Sequence, residues 1–361
     1  MIEPFSTFSR PLVSLAALAA LSVLASGCVS TNAGFEERRF VADAAFLPVN
    51  SVVSLYTADQ SDTCLQSYDS DPDASHLAWC QSYVLNDLVD RIESNGDPQA
   101  IATLQSHIER LQTSLSSPKT DALRGRVVNG WTSAKYEGKR PHVWAVHNGM
   151  VGYPLARFAY VVRKKGLSEQ NALAASALKM AYDLYNAMEP DFSGGTYRYP
   201  VSGLGRPKGD HLPLNMQAAM GLLALHLHLA DRSNQATLTR ANQIGRFINK
   251  AAFYRISNGK RRLVWPIDLV SGPEDTGHAI LTMSFITKMH ENGLVFSKRR
   301  YQELLDNFIE NAIGTGTRVN ADIVDRGGGK GSNFKDTCHR ALIIYRHDSP
   351  TFNRCKSAFS A

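Results

Sequence analysis

Two carboxylates and an imidazole fall close together in the stretch "GPEDTGHAILTMSF", residues 272–285: Glu274, Asp275 and His278. Residues three and four apart share a helix face, so in a helix His278 lies beside both acids. A carboxylate next to an imidazole orients the ring and raises its basicity, which suits general acid–base chemistry. The same residues also have a purely structural use. Ser271 followed three residues later by Glu274 fits a capping box, and acids in a first turn complement the helix dipole.

Similar groups recur along the chain. One set holds His142, Trp144, His147, Asn148 and Tyr153. A second holds Tyr197, Arg198, Tyr199, Arg206, Lys208, Asp210, His211 and Asn215. The third adds Arg261, Arg262, Trp265 and Asp268 to the acids and histidine above, and a fourth holds Asp322, Asp325, Arg326, Lys330 and Asn333. Trp144 and Trp265 are either core aromatics or platforms on which a sugar ring stacks. His226 and His228 lie deep in an apolar run, two apart and therefore on different faces, and read as packing residues. The chain has no HExxH, GxSxG or EF-hand loop, and Gly327–Gly329 with Lys330 lacks the P-loop spacing.

The elements that must position these groups are helices. A first pair covers 84–96 and 98–115, broken at "NGDP". Apolar helices then begin near 149, 213, 274 and 335, spaced 64, 61 and 61 residues apart. More polar helices occupy 168–188, 234–252 and 297–313 between them. Regular spacing of this kind marks stacked supersecondary units. Short turns follow each apolar helix, and loops of some twenty residues follow each polar one, with 116–148 in the equivalent place before the first. Long loops without secondary structure are usually functional or disordered. Stacking the hairpins puts every long loop at one end, together with the N-termini of the apolar helices. The pattern predicts an all-α fold, an (α/α) toroid of inner apolar and outer polar helices, complete or short of closure. An open α-solenoid is the runner-up.

The segments "HNGMVGYPLARFA", "HLPLNMQAAMGLLAL" and "WPIDLVSGPEDTGHAILTMSF" resemble the helix starts of carbohydrate-active (α/α) toroids. Over residues 140–300 the chain resembles polysaccharide lyases of the alginate-lyase type and the helical domain of glucuronyl C5-epimerases. The adjacent Asn-His pair common in alginate lyases has its only counterpart here in His147–Asn148, in reversed order. The resemblance implies a polysaccharide lyase acting on a uronate-containing polymer by β-elimination. Such chemistry removes the weakly acidic C5 proton while hydrogen bonds neutralise the neighbouring carboxylate. The rim offers Asn215 and Arg198 as neutralisers, His147 or His278 as base and Tyr199 as acid, with Glu274 and Asp275 orienting His278. His142, Trp144, His211 and Trp265 complete the expected sugar-binding surface. Glycoside hydrolysis between two carboxylates, C5 epimerisation, and a non-catalytic lipid-anchored polysaccharide-binding or export factor are the alternatives. Neither a cofactor nor a metal is expected.

The ends and the composition set the context. An apolar run at 12–24 follows Arg10 and ends in "LASGC". The run is too short to span a bilayer and has the shape of a signal peptide, and "ASGC" resembles a bacterial lipobox. The expected organisation is a signal at 1–27, a tether at 28–50 carrying lipid on Cys28, and one helical domain over 51–361. The absence of an acid after Cys28 points to the outer membrane, on its periplasmic side, with the lipid anchor as the sole membrane contact. Cys64, Cys80, Cys338 and Cys355 suggest two disulfides in an exported chain; of the possible pairings, Cys64–Cys80 and Cys338–Cys355 close the shortest loops. The net charge of +6 favours an anionic partner, and its scattered distribution shows no nucleic-acid motif.

Overall fold

The computed structural model describes residues 58–116, 120–135, 140–202, 206–257, 259–269, 274–316, 318–321, 323 and 330–360. The signal segment, the tether and Cys28 lie outside the described residues, as do Asp322, Asp325 and Arg326 of the fourth group.

The helices are α1 (Ala58–Ser70), α2 (Ala74–His76), α3 (Ser82–Asn95), α4 (Pro98–Leu115), α5 (Ala145–Lys165), α6 (Asn171–Met188), α7 (Leu214–Ala230), α8 (Gln235–Ala251), α9 (Thr276–Glu291), α10 (Lys298–Asn307), α11 (Phe334–Tyr345) and α12 (Ser349–Ser360). A π-helical turn, Leu77–Gln81, joins α2 to α3, and another, Phe308–Ile313, extends α10. The helical starts expected near 149, 213, 274 and 335 thus fall at 145, 214, 276 and 334.

The protein is an (α/α) toroid. Helices α3, α5, α7, α9 and α11 form the inner layer, each in contact with the next, and α11 returns to touch α3. At that seam the Arg340 guanidinium lies over the Tyr83 ring, 5.4 Å from its centroid. Closure removes both the open solenoid and the incomplete ring from consideration. The two layers differ as burial requires. Along α7 nearly every residue is buried, whereas α8 buries the stripe Thr237, Ala241, Ile244, Gly245 and Ile248 and leaves its other face wet. Small residues let the inner backbones approach. A Cβ on Gly149 would sit 2.6 Å from the Ala219 backbone, and one on Gly221 would meet the Phe285 ring at 2.7 Å.

Inner helices run parallel, and their ends are chemically distinct. At the C-terminal ends the turns are tight: Gly96 and Gly166 cap α3 and α5 in the left-handed region, at φ 69° and 66°. At the N-terminal ends the long connections carry two-stranded antiparallel hairpins. These are β1 (Thr120–Asp121) with β2 (Arg126–Val127), β3 (Thr132–Ser133) with β4 (His142–Val143), and β5 (Phe192–Ser193) with β6 (Thr196–Tyr197). The later ones are β7 (Phe253–Ser257) with β8 (Lys260–Val264), and β9 (Arg318–Asn320) with β10 (Lys330–Asn333). The loops are therefore built rather than structureless.

Both disulfides are present. Cys64–Cys80 ties α1 to the turn before α3, and Cys338–Cys355 ties α11 to α12, with Cα separations of 5.6 and 5.8 Å. Among the described residues no helix is long and apolar enough to cross a membrane.

Candidate functional site

The start of α9 is organised around Asp275. It is the N-cap: one carboxylate oxygen accepts the His278 backbone N–H at 3.1 Å, and the other accepts from His278 Nδ1. The N-cap thus falls four residues later than the capping box at Ser271, which lies outside the described residues, had suggested, and Glu274 is outside the helix. Asp275 and His278 keep 46% and 40% of their side chains exposed, so this pair is both oriented and open. The hydrogen bond that His278 donates to Asp275, opposed by burial, raises the His278 pKa above its ordinary value. Burial pushes Asp275 up, but the His278 hydrogen bond and charge outweigh it and hold the carboxyl below the usual range. With Nδ1 committed to Asp275, Nε2 is the nitrogen left to act on a ligand. Trp79, from the turn before α3, stands perpendicular to the imidazole with centroids 5.6 Å apart.

Glu274 turns the other way. It is fully buried and accepts the Trp265 indole N–H at 2.5 Å. Burial raises its pKa to about 8 against the influence of Thr282 and Trp265, so at neutral pH it is a protonated acid in the core. Trp265 is equally buried.

At the start of α5 the same residue types are sealed. Trp144 is the N-cap residue, and the His142 ring rests 4.1 Å from it. His142 Nδ1 bonds the Arg140 carbonyl at 2.9 Å, and its Nε2 has no partner among the described residues. His147 has no exposed surface, and burial drives its pKa down to about 3. Asn148 donates to the carbonyls of Asn129 and Leu184, at 3.0 and 3.1 Å, pinning a loop to an outer helix. Nearby Asp73 accepts the Ser133 hydroxyl at 2.9 Å and the Ala134 N–H at 3.1 Å.

The second loop is held by its own contacts. Tyr197 is buried, its hydroxyl on Glu189 at 2.8 Å, and Tyr199 is only 8% exposed. Arg198 donates to the Ser193 and Gly209 carbonyls at 3.1 and 2.6 Å, and thereby staples the loop. His211 stacks on Phe247 of the outer helix α8, 5.1 Å away, and bonds Thr196 at 2.8 Å. Asn215, in the first turn of α7, is 3% exposed, and its Oδ1 has no hydrogen-bond partner among the described residues. An Arg206–Asp268 ion pair at 2.7 Å ties this loop to the next. Of His147, Tyr199, Asn215 and His278, His278 alone is substantially open.

One turn below Trp79 and His278 lies a central cavity whose walls come from all five inner helices. Its polar groups include Tyr83, Asn86, Asp90, Arg157, Ser284 and Arg340. Arg157 is committed to Asp90 at 2.5 Å and Glu93 at 2.7 Å. Arg340 has no acidic partner among the described residues, and the Asn86 Oδ1 is buried and unpartnered. Sequence reasoning missed these residues, although a usable signal was there. Arg157 and Arg340 sit within the apolar runs of inner helices, where a cation needs a reason. Among the described residues no cluster of three or more His, Cys, Asp or Glu could hold a metal ion.

No protein-family model matches the chain, and no curated protein matches it in sequence. Solved structures share its fold. A family 76 glycoside hydrolase from a bovine Bacteroides thetaiotaomicron strain superposes with a TM-score of 0.50 at 12% identity, over 75% of this chain and 55% of that one. The chain thus spans little more than half the length of that enzyme. A family 76 mannosidase from B. thetaiotaomicron VPI-5482 gives 0.49 at 12% identity, covering 76% and 70%. A sugar epimerase from a ruminal bacterium gives 0.47 at 13%, covering 77% and 73%. At these identities the likeness is one of fold.

Proposed function

We propose that the protein cleaves a uronate-containing polysaccharide by β-elimination, with Asp275–His278 moving the proton. The observation that carries this reading is the half-open Asp–His pair above a cavity whose cation, Arg340, has no acid partner among the described residues. The toroid shared with a glycoside hydrolase supports a sugar polymer as substrate class, while the chemistry is argued from the site. Arg340 would pair with the uronate carboxylate, so that charge released from C5 can spread onto it. His278 Nε2, neutral and aligned by Asp275, takes the C5 proton. The C5–H electron pair forms the C4=C5 double bond, the C4–O4 bond breaks, and His278 returns the proton to the departing oxygen. Trp79 offers the sugar a flat apolar wall. Glu274, protonated and buried, supports the loop rather than touching the polymer, which argues against hydrolysis between Glu274 and Asp275. The reading extends to location: Cys28 carries lipid, and the domain acts from the periplasmic face of the outer membrane.

The test is to offer the mature protein a panel of uronate polymers and follow the ultraviolet absorbance of the unsaturated product. Absorbance that His278→Ala abolishes supports elimination. New reducing ends without absorbance would mean hydrolysis, and binding with neither would leave a polysaccharide-binding factor.

A further inference from the structure

The toroid has a second chamber, at the opposite end from His278. It opens between the C-terminal ends of the inner helices, has a volume of about 280 Å³, and includes Glu93, Arg157, Lys164, Lys288, Glu291 and Arg346 in its walls. Tyr160, Leu229, His226 and Asn292 complete it. Arg157 borders both chambers and, clamped by Asp90 and Glu93, separates them.

Each acid here is already spoken for. Glu93 is held by Arg157 at 2.7 Å and Lys164 at 3.1 Å. Glu291 is held by Lys288 at 2.7 Å and His347 at 2.9 Å. Arg346 has no acidic partner among the described residues, and its Nε is buried without a hydrogen bond. Lys288 sits close enough to both Arg346 and Arg157 for like charges to oppose one another. Burial lowers the Lys288 pKa, Glu291 works against that, and Arg346 and Arg157 push it lower still. A buried donor left unmade and an uncompensated cation both cost stability, and one bound anion would remove both costs.

We propose that this chamber binds a small, singly charged carboxylate, of the size of one sugar acid, between Arg346 and Lys288. With Asp90, which holds Arg157 from outside the chamber, counted beside Glu93 and Glu291 against Arg157, Lys164, Lys288 and Arg346, the surplus is a single cation, which matches a monoanion. A guanidinium fork fits a carboxylate in two parallel hydrogen bonds, and Asn292 and Tyr160 can face hydroxyl groups and a ring. The site is separate from the proposed reaction and does not depend on it.

The bland alternative is that Arg346, just past the end of α11, serves the helix dipole. Melting temperature of the full mature protein separates the two, using glucuronate, glucose and inorganic phosphate as probes. Glucuronate should raise it saturably in the wild type and equally in His278→Ala, while glucose has no effect and phosphate a smaller one. Arg346→Gln should weaken glucuronate binding at least about tenfold, as expected for losing charge-assisted hydrogen bonds, and Arg346→Lys should fall between. Without ligand, Arg346→Gln should melt no lower than the wild type, because a cation repelling Lys288 is gone. Lower melting of unliganded Arg346→Gln, an equal response to glucose or phosphate, or loss of the response in His278→Ala would each overturn the proposal.

Discussion

The starts of α5 and α9 are built from the same kinds of residue and end in opposite states. At α5, Trp144, His147 and Asn148 lie within the protein, and Asn148 spends its amide on two distant carbonyls. At α9, Trp265 and Glu274 are buried in the same manner, but Asp275 and His278 remain half open and hydrogen-bonded to each other. The difference is made by what covers each helix start. Over α5 lies the β3–β4 hairpin, braced by Asp73 through Ser133 and Ala134. At α9, Asn320 and Ala321 beside the β9–β10 hairpin hold Thr276, and Trp79 stands edge to face with the imidazole, while Asp275 and His278 stay half open. A histidine at a helix start is thus a packing element in one place and a half-open group in the other.

That contrast can be broken in order of expected effect. Replacing His278 by Ala should cut turnover about a hundredfold or more, the usual scale for a general acid–base group, with little change in melting. Intact activity in His278→Ala would place the chemistry elsewhere.

Glu274→Gln comes next and concerns stability. Glu274 stays protonated in the folded protein up to a pKa of about 8, whereas in the unfolded chain it ionises near 4.5. Its contribution is therefore complete below about pH 4.5 and is lost as pH rises toward 8. Each tenfold difference in proton affinity between folded and unfolded chain is worth about 1.4 kcal/mol, so the decline is on the order of a few kcal/mol. Urea unfolding at several pH values should show this decline in the wild type and flatten in Glu274→Gln. Parallel curves would mean that the carboxyl is ionised in the fold.

His147→Ala should behave as a cavity in the core, costing about 2–3 kcal/mol of stability while the folded fraction keeps its activity. A specific loss of turnover with unchanged stability would return His147 to the catalytic residues and dissolve the contrast between the two helix starts.

For Asp275→Asn the expected loss is about tenfold, with a shift in the pH profile that a merely structural role would not produce. The carboxylate raises the His278 pKa, so its removal should move the acid limb of the rate profile to lower pH. The smallest effect is expected of Tyr199→Phe, within about 1 kcal/mol in stability or activation energy. A loss of a hundredfold there would make Tyr199, and not His278, the donor to the leaving oxygen.

Much of the framework could be read directly. The inner helices were visible because α7 is apolar all round while α8 repeats apolar residues on one stripe. Gly166 and Gly293 marked helix ends because a left-handed residue costs glycine little. The disulfides were legible from loop length. The hairpins within the long connections were not, because two-residue strands such as Thr132–Ser133 are too short for alternation to register. Arg340 and Trp79 escaped notice for a related reason: each matters through a neighbour on another helix.

Local sequence determined the helices, their caps, their polarity and the disulfide partners, since each depends on residues within a turn or a short loop of one another. It also determined that Asp275 would hold His278, three residues along the same helix. The tertiary structure decided which histidine stays open, that the ring closes at Tyr83 and Arg340, and that Glu274 is driven out of its charged form. Those outcomes depend on desolvation, and desolvation is imposed by segments far away in sequence: Ser133 braced on Asp73 from 60 residues away, and Asn148 on Leu184 from 36.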